Sequence, residues 1–109
     1  MTAITPKTLI DEAFVLAEMA TQKHINNNPG VWYPCGFAWV RIRPARGAVV
    51  KYLKDNNIGH TDDYAGGLVV YNPSGNPTQW MDAKEAGARA FAAHLQLHGI
   101  KANAESRID

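Results

Sequence analysis

Three arginines within residues 41–46 are the side chains best suited to bind an anion. The stretch "RIRPAR" places Arg41, Arg43 and Arg46 around Pro44. A guanidinium group forms paired hydrogen bonds to phosphate or carboxylate oxygens, with a geometry that lysine cannot match. Pro44 is expected to begin a helix, whose free amides would add positive potential. The spacing therefore predicts an anion site, with Arg43 held in extended backbone because proline follows it.

A structural role is the alternative for the two arginines that lie in the predicted strand. Arg41 and Arg43 would then form salt bridges to Glu105 or Asp109 on a neighbouring strand. Such a pair ties two strands together through opposite charges on one face of the sheet. For Arg41 the sequence favours neither role over the other.

Aromatic residues concentrate between positions 32 and 80, close in sequence to the arginines. Rings beside guanidinium groups are suited to stacking on a purine base. Trp39 is expected in the core, whereas the proline-flanked loop that carries Trp32 and Tyr33 is harder to explain by packing. These rings include Trp32, Tyr33, Trp39, Tyr64, Tyr71 and Trp80.

The stretch "GHTDDYAGG" contains the densest group of ionisable side chains. His60, Asp62 and Asp63 are residue types that bind metals or carry out acid–base chemistry. No third carboxylate or partner motif fixes a metal, so a solvated loop is favoured. Gly66 and Gly67 allow either a bulge or the close approach of backbone to a ligand, although the common mononucleotide-loop motifs are absent.

The remaining reactive side chains do not form a recognisable catalytic set. His94 and His98 lie four apart on a predicted helix, but the glutamate of a zinc-protease helix is missing between them. Cys35 is expected to be a small core residue. No catalytic residue, metal site or cofactor is therefore predicted, and binding is favoured over catalysis. The candidate ligand-binding residues are Trp32, Tyr33, Arg41, Arg43, Arg46, His60, Tyr64, Gly66, Gly67 and Arg107.

The elements that must position these residues form one predicted domain, 1–109. Apolar residues at helical spacing, a Thr5–Pro6 start and the "NNNPG" stop predict an amphipathic helix over 5–27. The body, 35–109, has the pattern β-α-β-β-α-β. The fold class is therefore α+β, a ferredoxin-like (split βαβ) antiparallel sheet preceded by a helix. The expected body elements are a strand from Cys35, a helix from Pro44, strands at 68–71 and 78–81, a helix from Asp82 to His98 and a final strand near 101–107.

The first predicted strand has two different faces. Its small aliphatic side suits packing on helices, and its other side mixes Phe37 and Trp39 with the strand arginines. In a ferredoxin-like sheet that second side is left open, and we expect the N-terminal helix to cover it. The alternatives are that the helix forms a dimer contact or a swapped arm. The second side would then be an exposed platform like that of RNA-recognition motifs.

Composition excludes several classes of protein. Eleven Lys and Arg against 10 Asp and Glu give a formal net charge of +1, so binding to nucleic acid by charge alone is excluded. The single cysteine and the absence of a signal-peptide pattern predict a cytoplasmic location. No apolar run has the length of a transmembrane helix, and no membrane association is expected.

Four stretches, "CGFAWVRIRPARG", "YAGG", "KEAGARAFA" and "SRID", resemble a group of small proteins encoded by tailed bacteriophages and prophages. The similarity covers roughly residues 33–109. The resemblance implies that the protein comes from a phage or prophage, and it implies no particular biochemical activity. Because small accessory phage proteins often act against the host, the resemblance implies a counter-defence role in the host bacterial cytoplasm. It favours a protein that sequesters a small anionic ligand, with a nucleotide immune signal as the leading candidate.

Two other functions remain open. One is an interaction module that blocks a host protein or nucleic acid, and the other is a small phosphodiesterase that uses His60 and the adjacent aspartates. A homodimer or a higher homo-oligomer is also expected, because a second subunit often completes the pocket of so small a protein.

Overall fold

The N-terminal helix begins and ends where the sequence predicts. In the computed structural model, which describes residues 4–109, α1 spans Pro6–Asn27. Thr5 caps its start, because Thr5 Oγ1 accepts a hydrogen bond from the Thr8 backbone N–H at 3.2 Å. At the other end the backbone N–H of Asn28 donates to the Ile25 carbonyl. The predicted helix over 5–27 is confirmed.

Within residues 4–109, four strands form one sheet, in the order β2 (His60–Thr61), β3 (Leu68–Tyr71), β1 (Gly36–Ile42) and β4 (Ala102–Ile108). Each neighbouring pair is antiparallel. The protein is therefore α+β, with an N-terminal helix and a four-stranded antiparallel sheet. Within residues 4–109 no helix is both long and apolar enough to cross a membrane. The elements after α1 are β1 (Gly36–Ile42), α2 (Ala48–Asp55), β2 (His60–Thr61), β3 (Leu68–Tyr71), α3 (Met81–Leu97) and β4 (Ala102–Ile108).

The prediction of a strand at 78–81 is wrong. Trp80 makes only an isolated bridge to Cys35, and α3 begins at the next residue. The strand that pairs with β3 is instead β2, which precedes it in the chain. Gly66 and Gly67, with φ of 88° and 80°, adopt the left-handed conformations that return the chain into β3. Because the residues around β2 are polar, the sequence predicts a loop there and not a strand.

Both later helices begin at positions different from those predicted. Residues 44–47 form a turn in which the Arg46 N–H donates to the Pro44 carbonyl, and α2 starts at Ala48. Trp80 is the residue that precedes α3, and no side chain there caps the helix. The Asp-x-x-Glu spacing at 82–85 is therefore not a capping box. Pro44 does not begin a helix.

The helices share one face of the sheet. Val40 of β1 is buried in the same apolar cluster as Leu9 of α1, Leu53 of α2 and Phe91 of α3. α1 packs mainly on α3, with further contact to α2. The prediction that α1 covers the other face of the sheet is therefore wrong, and Phe37 on that face is exposed. Small residues along α3 let α1 bury its apolar stripe on the helix side.

α1 packs tightly against α3 at Gly87. A Cβ atom built on Gly87 would lie 3.0 Å from the Ala17 carbonyl oxygen and 2.9 Å from Ser74 Cβ, and it would also clash with Thr21 Oγ1. Thr21 is fully buried and its hydroxyl donates to the Ala83 carbonyl at 2.6 Å. Backbone and buried side chains thus leave no room for a methyl group.

We predict that Gly87→Ala destabilises the protein by about 1–3 kcal/mol, the usual cost of overpacking a core. At an exposed helical position the same substitution would stabilise a protein by about 1 kcal/mol through helix propensity. The sign of the change in unfolding free energy, measured by urea denaturation, therefore decides the question. A variant as stable as the wild type or more stable would contradict the close contact.

Candidate functional site

One face of the sheet carries the candidate site, and we call it the open face because no helix packs on it among the described residues. Alternate residues along a strand point to opposite faces, and the strand register identifies those that share this one. The open face consists of Phe37, Trp39 and Arg41 of β1, His60 of β2, Val69 and Tyr71 of β3, and Asn103, Glu105 and Arg107 of β4.

Three rings lie side by side across the open face, and we call them the ring row. The centroid of Tyr71 lies 5.8 Å from that of His60, with the ring planes within 12° of parallel. On its other side Tyr71 lies 5.6 Å from Trp39, with the planes tilted by 42°. The Tyr71 side chain is 57% exposed. The row thus presents apolar ring surface to solvent at the centre of the sheet.

Phe37 continues the apolar surface along β1. Its ring lies 5.4 Å from Lys84 Nζ and 5.9 Å from the guanidinium carbon of Arg107, so two cations flank it. The buried Lys84 amine also donates to the Gly36 carbonyl at 2.9 Å, which anchors the start of α3 to the start of β1. Arg107 is exposed and lies opposite Phe37 in the register of β4. This end of the open face is therefore aromatic and cationic.

Arg41 is the buried centre of a partly exposed ionic cluster. Its Nε donates to the Glu105 carboxylate at 3.0 and 3.2 Å, and its Nη1 donates to Asp62 at 2.9 Å and to the Gly66 carbonyl at 2.6 Å. The arginine is 8% exposed. Glu105 also accepts the indole N–H of Trp39 at 2.7 Å. Of the two roles left open for Arg41, the salt bridge to Glu105 is the one observed.

The Asp62 carboxylate is held in its charged form. One oxygen accepts the backbone N–H groups of Ala65 and Tyr64 at 3.0 and 2.9 Å, and the other accepts from Arg41. The Ala65 N–H, the Arg41 side chain and the Tyr64 N–H lower the pKa of Asp62 to about 2. Hydrogen bonding to Asp62 raises the pKa of Arg41. Asp62 is therefore poorly suited to acid–base catalysis near neutral pH.

Arg43 and the two loop glycines also serve to hold the β2–β3 loop. Arg43 Nη2 donates to the Ala65 carbonyl at 2.9 Å, and Arg43 as a whole is exposed. A Cβ atom on Gly67 would lie 2.7 Å from the Ile42 carbonyl oxygen and 2.9 Å from Arg43 Cγ. Gly67 is thus required for the loop to pack against β1. Arg43 keeps exposed guanidinium surface at the edge of the open face.

The predicted convergence of arginines around Pro44 is wrong. Arg46 lines a groove of about 610 Å³ between α1 and α2, with Ile4, Leu9 and His98 among its neighbours. That groove lies on the helix side of the sheet. Lys51 pairs with Asp55 at 2.8 Å. The two strand arginines instead point toward the β2–β3 loop, so no common anion site forms.

The aromatic candidates are divided between the two ends of β1. Tyr33 stacks on Trp80 with centroids 4.9 Å apart, so packing does explain it. Trp32 is 86% exposed in the segment before β1, and Tyr64 is fully exposed in the β2–β3 loop. Trp39, which was expected in the core, lies in the ring row. Of the sequence candidates, the structure brings Arg41, His60 and Arg107 onto the open face.

His94, His98 and Cys35 are three further reactive side chains. His94 contacts Glu12 at 3.1 Å and His98 with ring centroids 5.1 Å apart, but no group of three His, Cys, Asp or Glu residues in the described part of the chain could hold a metal ion. Cys35 is exposed, so its prediction as a core residue is wrong. It lies just before β1, at the end where α3 also begins.

The sequence named Tyr71 among the rings that could stack on a base but did not place it in the site, and it assigned Phe37 and Trp39 to a core covered by the N-terminal helix. The alternation along β1 did place both rings on the face opposite the aliphatic residues. For Tyr71 the signal was the alternation in the strand "LVVY", where Leu68 and Val70 lie in the core and Tyr71 points to the opposite face. The pairing of β1 with β3 was needed to bring these rings together.

Comparison with known proteins gives no relative from which a function is transferable. No family model, no curated protein and no solved structure matches this chain. Function is therefore inferred from the geometry of the open face.

We predict that the charged form of Asp62 stabilises the fold in a pH-dependent way. Because the folded pKa lies below the ordinary value of 3.8, this stabilisation is present above about pH 4 and is lost as the pH falls toward about 2. Urea denaturation over this range should show a shallower loss of stability for Asp62→Asn than for the wild type.

Asp63→Asn is the matched control, because it removes the same charge one residue away. It should keep the wild-type pH profile. Identical profiles for Asp62→Asn and the wild type would contradict the ionic cluster.

Proposed function

We propose that the open face binds a nucleobase-containing ligand, whose bases stack on the ring row of His60, Tyr71 and Trp39. The single observation that carries this proposal is the row itself: three adjacent rings, one of them 57% exposed, on a sheet face on which no helix of residues 4–109 packs. Every base has a flat face, and stacking on a protein ring contributes about 1–3 kcal/mol per base. Antiparallel sheets with exposed central rings are used in this way by RNA-recognition motifs.

Stacking rather than charge is the expected source of affinity. Arg41 already binds two carboxylates, and the chain has a formal net charge of only +1. Exposed guanidinium groups remain at two places, at Arg43 beside the β2–β3 loop and at Arg107 beside Phe37. These two groups are suited to contact phosphates at either end of a ligand that lies across the rings. The affinity should therefore depend only weakly on salt.

The ligand is a nucleotide or a short single strand, since both offer an unpaired base and a phosphate. A duplex hides its base faces and is not expected to bind. A nucleotide immune signal would satisfy the same chemistry, so sequestration of such a signal by a phage counter-defence protein stays our prediction from the sequence resemblance. Binding without turnover is favoured over a phosphodiesterase, because hydrogen bonds from Arg41 and the loop backbone occupy the Asp62 carboxylate.

We also propose that the sheet and its helices have the ferredoxin-like topology. The strand order β2-β3-β1-β4, with the first and third strands central, supports this topology. So does the position of α2 between β1 and β2 and of α3 between β3 and β4. In that topology one face of the sheet is free of helices, as a stacking platform requires.

We predict that Tyr71→Ala weakens binding of nucleobase ligands by about 1–3 kcal/mol, the contribution of one stacked ring. Isothermal titration calorimetry with nucleoside monophosphates, cyclic dinucleotides and single-stranded RNA hexamers would measure it. Comparing these ligands distinguishes a free nucleotide from a single strand, and an RNA duplex serves as the negative control. Tyr71→Phe keeps the ring and should keep the affinity.

Tyr64→Ala is the matched control, since it removes a tyrosine that is even more exposed than Tyr71 and lies in the β2–β3 loop, outside the ring row. Its affinity should remain close to that of the wild type. The proposal fails if none of the unpaired probes binds, or if Tyr71→Ala binds them as tightly as the wild type does.

A further inference from the structure

A second exposed surface lies on the helices, on the side away from the sheet. Four large apolar side chains there are exposed: Val15 by 55%, Leu16 by 39%, Met19 by 62% and Leu97 by 80%. A groove of about 420 Å³ runs between α1 and α3 at this place. We call this surface the outer strip, and it consists of Val15, Leu16, Met19 and Ala20 of α1 with Ala90, Ala93 and Leu97 of α3.

The residues along the outer side of α1 have the spacing of a coiled-coil seam. Glu12, Leu16, Met19 and Lys23 are separated by four, three and four positions. This is the alternating spacing of the a and d positions of a heptad, which places them in one line along the helix. The apolar pair thus occupies the middle of the line, and the two opposite charges occupy its ends.

The charges of Glu12 and Lys23 are complementary between two copies of α1 when the helices pack antiparallel. If two α1 helices pack antiparallel about a two-fold axis between Leu16 and Met19, each Leu16 faces Met19 of the second copy. Glu12 and Lys23 lie four residues beyond this pair on either side. The same rotation therefore places Glu12 opposite Lys23 of the second copy, twice. A parallel arrangement would place like charges together.

Both charged groups are accessible for such pairs. Lys23 is exposed, and the Glu12 side chain is 50% exposed. His94 of α3 contacts Glu12 at 3.1 Å, which holds the carboxylate at the edge of the outer strip. α1 has 22 residues and α3 has 17, so they are about 33 and 26 Å long and, at a width of about 10 Å each, present roughly 590 Å². Stable interfaces bury about 800 Å² per partner, so this surface has roughly three-quarters of that area.

We infer that the outer strip is the interface of a homodimer in which α1 of one copy packs antiparallel on α1 of the other. The interface lies on the helix side, so the open faces of both copies remain accessible in the dimer. Dimer formation and nucleobase binding are thus separate properties, and each can fail without the other.

Charge reversal at the two ends of α1 tests this interface. Light scattering of the wild type should give twice the 11.9 kDa of one chain. Glu12→Lys and Lys23→Glu should each give a monomer at the same concentration, because like charges then meet twice. Both positions are exposed, and far-ultraviolet circular dichroism would establish that each variant is folded.

Recombining the charges makes the test specific to this register. An equimolar mixture of the two single variants should recover the dimer mass, since every facing pair is again of opposite charge. The double variant Glu12→Lys/Lys23→Glu should dimerise by itself for the same reason. A wild-type mass of 11.9 kDa would show that the outer strip does not join two copies of the chain, and would overturn the proposal. So would single variants that stay dimeric, or a mixture that stays monomeric.

Discussion

The close contact between α1 and α3 at Gly87 determines which surfaces of this protein are free. Because Gly87 has no side chain, α1 approaches the backbone of α3 and buries Thr21 and Ala17 against it. α1 then packs beside α3 on the helix side of the sheet, and its apolar stripe is buried there and not against the other sheet face. The open face and the outer strip both result from the packing of α1 on α3. A helix that crossed to the far side of the sheet would have covered the ring row.

Arg41 supplies the second constraint, since it joins two strands, β1 and β4, to the β2–β3 loop. Its guanidinium binds Glu105 of β4 and the Asp62–Gly66 loop that connects β2 to β3. β2 contributes only two residues to the sheet, so this ionic cluster helps to fix the position of His60. Glu105 in turn fixes the Trp39 indole. An arginine that resembles a ligand contact in the sequence therefore orients the rings that form the platform.

The sequence predicted those elements whose signals are local. The Thr5–Pro6 start and the Asn-rich stop gave the bounds of α1, and alternation gave the two faces of β1. The two-residue β2 was not predictable, because its pairing depends on hydrogen bonds made by Asp62 and on two glycines in the loop. The side on which α1 packs was also not predictable. It depends on small residues of α3 that lie more than 60 positions away in the chain.

The indole N–H signals of the three tryptophans provide the most direct test of the open face as a binding surface. In a nitrogen-15 correlation spectrum each tryptophan gives one such signal, and Trp39 is the one in the ring row. Titration with a nucleobase ligand should shift the Trp39 signal, whereas the signal of the buried Trp80 should stay in place. A bound ligand that leaves the Trp39 signal unmoved, or that shifts Trp80 instead, would contradict the account.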